Sequence, residues 1–167
     1  VEMFAKDRPD TGGEMIRSMS RVMTALVDEL ERAKPDVVLS GFDIGANMAV
    51  TMAAAHMNIP VAHIQGGEVT GSIDESIRHA MSKFSHIHFP ATDLSKDRLI
   101  RMGEKAEDIY VVGCPSIDVI KNTPYIPKEE VEEYFGMDLS KPLLLMIQHP
   151  VTTEVQDSFT QIKETVD

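Results

Sequence analysis

IPVAHIQGGEVTGSIDESIRHAMSKFSHIHFP, residues 59–90, decides the fold. IPVAHIQ (59–65) is a short apolar run of the kind that forms a buried strand. Ser72 to about Phe84 reads as a helix, and HIHFP (86–90) as the next strand. Strands that alternate with helices of this length form βαβ units and a mainly parallel sheet. Just beyond the first strand and along the start of the helix stand Gly66, Gly67, Glu68, Asp74, Glu75, Arg78 and His79. A packed core would exclude so many ionisable groups, and an ordinary turn would not need them.

The same alternation continues on both sides. Upstream, Met15, Ile16, Met19, Val22, Met23, Leu26, Val27 and Leu30 recur at helical spacing, and Lys34-Pro35 ends that helix. DVVLSG (36–41) is a buried strand and residues 45–58, rich in Ala and Met, a second helix. Downstream, residues 93–103 are helical and IYVVGCP (109–115) is a strand. From about Lys121 prolines and a charge run signal a linker holding a short helix. LLLMIQHP (143–150) then opens a new strand, with a helix at 154–166. The expected organisation is an α/β chain: a partial Rossmann-like domain over residues 1–121, a linker over 122–141, and the start of a second such domain over 142–167. A new βα unit that stops at Asp167, in a chain that begins at Val1 rather than Met, is expected to be part of a longer protein.

Composition narrows the function classes. The 167 residues are 43% hydrophobic, enough for a core, and 16 basic against 27 acidic residues give a net charge of −11. That balance argues against nucleic acid or an anionic membrane as partner, although a local site for an anionic small molecule remains compatible with it. No apolar run reaches the ~18–20 residues that span a bilayer, and no signal peptide is evident. A single cysteine, Cys114, leaves no internal disulfide and fits a reducing, cytoplasmic compartment.

Ligands of open α/β sheets bind beyond the carboxyl ends of the strands, where Asp43, Gln65 through Glu68, and His149 fall. Each has a structural reading too. Asp43 can cap the next helix. Gly66-Gly67 can be a turn, or can let backbone N–H groups approach an anion. Ser72 and Glu75 match a capping box, Asp74 suits the first turn, and Asp74–Arg78 or Glu75–His79 can pair four residues apart. His63 in an apolar strand suits a core position, and alternation with Ile87 and Phe89 explains His86 and His88. No spacing of His, Cys and Asp makes a metal site, and no G-x-S-x-G, P-loop or G-x-G-x-x-G occurs.

Together, HIQGGEVTGSIDESIRHAMSKFSHIHF, VVGCPSIDVI and MIQHPVTTEV resemble the UDP-N-acetylglucosamine 2-epimerase family, in that order and from about Pro35 to the C-terminus. GGEVTG is similar to the hydrolysing branch, which feeds sialic-acid-type nonulosonate synthesis. The non-hydrolysing branch has a run ending A-G-L-R-T there. The resemblance implies the GT-B fold, two Rossmann-like domains with the active site in the cleft between them. This chain would hold most of the N-terminal domain and the beginning of the other, and would not turn over substrate alone.

By position, the resemblance makes Asp43 a catalytic aspartate, with Phe42 where the family often has glycine. Gln65 stands where many members carry a catalytic glutamate, and Glu68 is the carboxylate that can compensate. Asp74 and Glu75 match an acidic pair, Arg78 follows them, and His149 matches a histidine near the nucleotide diphosphate. The implied reaction takes the proton from C2 of the sugar of UDP-N-acetylglucosamine and expels UDP from C1. Water adds to the 2-acetamidoglucal to give N-acetylmannosamine. A base, an acid on the opposite sugar face, and donors for the leaving diphosphate are needed. Asp43, Asp74 and Glu75 can supply the first two; Arg78, His149 and the Gly66-Gly67 backbone can supply the third. Crowding is expected to raise the pKa of one carboxylate, as a general acid requires. No cofactor or metal is implied. The full-length protein is expected to be a homo-oligomer, dimer or tetramer. Rival readings are a GT-B glycosyltransferase, a non-hydrolysing epimerase, and a non-catalytic sugar-nucleotide-binding protein.

Overall fold

The computed structural model describes residues 11–42, 45–149 and 154–167. The chain divides into two compact units, one up to Cys114 and one from Pro115 onward.

The first unit begins with helix α1, Gly12–Ala33. Thr11 caps it by accepting a hydrogen bond from the Glu14 amide at 3.2 Å. It ends where Lys34 turns left-handed (φ 45°) and returns its N–H to the Leu30 carbonyl, with Pro35 unable to continue it. Val22 and Leu30 of the expected apolar stripe are buried, whereas Ile16 is exposed. Near its start the buried face of α1 is polar instead: Glu14 and Ser18 are covered, and Arg21 bonds to both, at 2.8 and 2.7 Å.

Three strands follow, β1 (Val38–Gly41), β2 (Val61–Ile64) and β3 (Ile87–Phe89), in a parallel sheet of order β1-β2-β3. Helix α2 (Gly45–His56) connects the first two and α3 (Ile73–Phe84) the second two. Ala49, Ala53 and Ala54 let α2 pack closely, against α1, α3 and the sheet. Leu30, Ala53, Ala54 and Val61 form the core cluster, edged by Met23, Leu26, Val38, Met57 and Ile59. Burying a side chain such as Leu30 or Val61 is worth roughly 1.5–3 kcal/mol.

One row of this sheet is polar. Register aligns Ser40 with His63 and His63 with His88, and all three are buried. Each has a partner: Thr51 donates to the Ser40 hydroxyl at 2.8 Å, His63 Nδ1 meets Ser82 Oγ at 3.1 Å, and His88 Nε2 lies 3.3 Å from Glu104. Leu39, of opposite parity, is 62% exposed.

After β3 comes α4, Asp93–Arg101, capped by Thr92. The strand expected at 109–115 is reduced to one bridge between Ile109 and His88. Tyr110 and Val112 donate to the carbonyls of His88 and Pro90 at 2.8 and 3.1 Å. Pro90 has no N–H to return, so the ladder breaks there.

The second unit holds α5 (Pro115–Asn122), α6 (Lys128–Phe135) and α7 (Ser158–Val166). The first of these was not expected; Pro115 occupies its first position, where a missing N–H costs nothing. The strand expected at 143–150 is not formed over its described residues, 143–149. This unit contains no described strand to pair with it, and a lone strand leaves its backbone groups without a ladder.

Candidate active site

The carboxyl edge of the sheet is bounded by two tight turns. After β1, Phe42 takes φ 64°, and immediately after β2, Gln65 takes φ 60°. Left-handed backbone at a non-glycine residue is unfavourable and collects at functional sites. At the first turn, the Asn47 side-chain amide donates to the Gly41 carbonyl. At the second, the Gln65 amide nitrogen donates to the Phe89 carbonyl at 2.9 Å, and its side-chain Nε2 to Cys114 Sγ at 3.2 Å.

The loop from Gln65 to Ser72 is then fixed from three sides. Gly66 and Gly67 are both buried. A Cβ on Gly66 would come within 2.9 Å of His63 Nδ1 and Ser82 Oγ. On Gly67, whose φ is +84°, it would fall 2.4 Å from the Ser95 carbonyl oxygen. Protein fills the space that a side chain would take at either glycine. Arg78 is only 6% exposed, and its Nη1 donates to the Glu68 carbonyl at 2.9 Å and lies 3.5 Å from Thr70 Oγ1. Arg98 Nη1 donates to the Gly67 carbonyl.

At the far end of the loop Glu75 reaches back. Its Oε2 accepts from the amides of Thr70 and Gly71, both at 2.9 Å. A capping box would direct this carboxylate to the Ser72 amide; it goes one and two residues further. Ser72 still caps α3, accepting from the Asp74 amide at 3.3 Å, and its hydroxyl donates to the Asp74 carboxylate at 2.9 Å. The Gly71 and Thr70 hydrogen bonds lower the Glu75 pKa below its ordinary value, assisted by the charges of His79 and Arg78. Crowding therefore does not make Glu75 a raised-pKa acid. The loop amides favour its ionised form, and its work is to hold backbone.

Of the residues expected at the site, Gln65, Gly66, Gly67, Glu68, Asp74, Glu75 and Arg78 all lie on this loop or on the first two turns of α3. Asp74 and Glu68 are half-buried. Among the described residues the Glu68 carboxylate has no hydrogen-bond or ion-pair partner, and the Asp74 carboxylate has the Ser72 hydroxyl. Asp43 lies outside the described residues. His149 is exposed in the second unit, on the irregular segment 143–149. Arg98 and Cys114 were not anticipated. They are remote in sequence from the glycines, and nothing in their spacing announces the contact. Among the described residues, no group of three or more His, Cys, Asp or Glu could hold a metal ion, and no helix is long and apolar enough to cross a membrane.

A parallel βαβ sheet with an acid-bearing loop beyond a strand end is a Rossmann-like α/β architecture. The sequence matches the profile of the UDP-N-acetylglucosamine 2-epimerase family over residues 3–167, and the chain belongs to that family. It is 41% identical over 152 residues to the UDP-N,N'-diacetylbacillosamine 2-epimerase (hydrolyzing) of Legionella pneumophila, covering 91% of this chain and 40% of that one. It is 37% identical over 150 residues to the GDP/UDP-N,N'-diacetylbacillosamine 2-epimerase (hydrolyzing) of Campylobacter jejuni, covering 89% of this chain and 39% of that one. The structure is similar to that of the UDP-GlcNAc 2-epimerase from Neisseria meningitidis bound to UDP-GlcNAc, with a TM-score of 0.65 and 27% identity over 78% of this chain and 38% of that one. The chain spans about 40% of the length of the curated relatives it matches. The parallel α/β fold expected from the resemblance agrees with the structural match.

Proposed function

We propose that the protein containing this sequence is a hydrolysing UDP-sugar 2-epimerase, which converts UDP-N-acetylglucosamine and water to N-acetylmannosamine and UDP. The observation that carries the reading is the division of labour on the loop after β2. Glu75 is spent on the Thr70 and Gly71 amides, while Asp74 and Glu68 keep carboxylates at the same edge of the sheet. A loop that consumes one acid to fix the placing of two others suits proton transfer, which needs a base or acid within hydrogen-bond reach of its proton.

In this reading one carboxylate takes the C2 proton as the C1–O bond breaks and UDP leaves. Water then supplies the oxygen at C1, and a second acid returns a proton to C2 from the opposite face. Asp43 and Asp74 are the proposed acid–base residues, with Glu68 as the carboxylate beside Gln65. Arg78, His149 and the Gly66-Gly67 backbone are the proposed substrate-binding groups. Arg78 would contribute chiefly by holding the loop, because its guanidinium is already engaged with the Glu68 carbonyl. We further propose a cytoplasmic, cofactor-free homo-oligomer in nonulosonate synthesis, with domains at 1–121 and 142–167 about a linker.

The test is incubation of the full-length protein with UDP-N-acetylglucosamine and no acceptor, with products read by NMR. Release of UDP together with N-acetylmannosamine is expected. UDP-N-acetylmannosamine as the end product would assign the non-hydrolysing reaction, and release only after adding an acceptor would assign a transferase. Asp43→Asn should abolish most turnover without unfolding, since an amide has the shape of a carboxylate but cannot take the proton. The names of the Legionella and Campylobacter relatives favour a second reading, with a diacetamido UDP-sugar as substrate. Comparison of kcat/KM for the two sugars decides between them.

A further inference from the structure

Two guanidinium groups from different helices hold adjacent carbonyls of the loop after β2. Arg98 on α4 donates to Gly67, and Arg78 on α3 donates to Glu68. All described peptide bonds are trans, so each carbonyl points opposite to the N–H that follows it. With both carbonyls turned toward the arginines, the amides of Glu68 and Val69 are turned away from them. The Gly67 backbone also lies so close to α4 that a Cβ would meet the Ser95 carbonyl oxygen. The loop is therefore docked onto α4 directly, and the Arg98 hydrogen bond sets the orientation of its central peptide.

We infer that Arg98 is a positioning residue, which with Arg78 clamps the carbonyls of Gly67 and Glu68 and thereby sets the geometry of the loop carrying Gln65, Glu68 and the approach to Asp74. Arg78 lies within the acid-rich segment, whereas Arg98 is 31 residues from the carbonyl it holds. Arg98 does not act on substrate in this scheme. The catalytic consequence rests on the proposed function; the mechanical one does not.

Two variants of the chain test the clamp by hydrogen exchange read by mass spectrometry. Arg98→Met keeps most of the aliphatic stem and removes the donor, and Arg98→Lys keeps a cation that can still donate to a single carbonyl. Amide exchange over residues 66–69 should accelerate about 3- to 10-fold in Arg98→Met, the equivalent of one lost hydrogen bond. Exchange in β2 and β3 should be unchanged, and Arg98→Lys should recover at least part of the protection. Unchanged loop exchange in Arg98→Met, or a lysine variant no better than the methionine one, overturns the clamp. So does acceleration spread evenly over β2, β3 and α3, or outright unfolding, since either makes Arg98 a residue that holds the whole unit. In the full-length protein with UDP-sugar, Arg98→Met should lower kcat by about 10- to 100-fold, with KM moving less. A loosened loop with normal kcat removes its catalytic consequence. Wild-type protein that releases no UDP sinks the proposed function while leaving the exchange result to stand.

Discussion

Glu75 Oε2 accepts the amide of Gly71 at 2.9 Å, so the carboxylate that opens helix α3 also closes the loop preceding it. The same oxygen takes the Thr70 amide. Two N–H groups on one carboxylate oxygen favour the charged form, which gives the contact a pH signature.

Because the Glu75 pKa is lowered from 4.5 by those two amides, its contribution to stability is present above pH 4.5 and is lost as pH falls through the folded value. Melting of wild type and Glu75→Gln between about pH 3 and 6 should show a shallower acid decline in the variant. Parallel curves would mean that the amides do not discriminate between ionised and protonated Glu75.

His88 has its own window. Burial lowers its pKa from 6.5, and the opposing pull of Glu104 and Asp108 does not cancel that shift, while Lys83 adds to it. The folded state thus favours the neutral imidazole of His88. Its contribution is present above pH 6.5 and is lost as pH falls through the folded value. Tm should fall on acidification from about pH 7.5 to 5.5, and His88→Gln should flatten that part of the curve while leaving the Glu75 decline below it. An unchanged slope in the variant would count against this assignment.

The two loop glycines should differ in their tolerance of alanine. Gly67→Ala meets a backbone oxygen at 2.4 Å in left-handed backbone, whereas Gly66→Ala meets side chains at 2.9 Å. Denaturant titration should give a loss of about 3 kcal/mol or more for Gly67→Ala and about 1–3 kcal/mol for Gly66→Ala. If the glycines served only to admit an anion, both variants would keep wild-type stability.

In the full-length protein, Asp74→Asn should reduce turnover by about 10²–10⁴ at nearly unchanged Tm. Glu75→Gln should be milder, because glutamine still accepts from the loop amides. Steady-state rates beside melting curves check this, and the reverse order would exchange the two roles.

Much of the first unit was legible because its signals are local. Residues 72–84 announced helix α3 through a serine cap and spacing, and the strand over 59–65 stood out as an apolar run followed by Gly-Gly. What escaped depends on partners distant in the chain. No local signal shows that Pro90 interrupts the ladder with 109–112, or that 143–149 has no described strand beside it. At the candidate site the sequence exposed the acids but not their tasks. S-x-x-E spacing suggested a box closed on Ser72, whereas the loop's curvature brings Thr70 and Gly71 within reach of Glu75 first. Arg98 gave no signal because its reason for being there is a carbonyl, and carbonyls leave no mark on a sequence.

The buried row of Ser40, His63 and His88 gives the sheet a means of rejecting its own near-misses. Apolar side chains fit against many neighbours, so β2, with Val61, Ala62 and Ile64, could slide along β1 at little apolar cost. Its histidine could not slide with it. Moving β2 by one residue would turn His63 to the opposite face, away from Ser82, and would set an apolar residue beside Ser40 and His88. A mispaired intermediate would therefore carry a stranded imidazole, and that penalty would drive it back toward unfolding and a second attempt. In this sheet the least hydrophobic buried groups proofread the most hydrophobic segment.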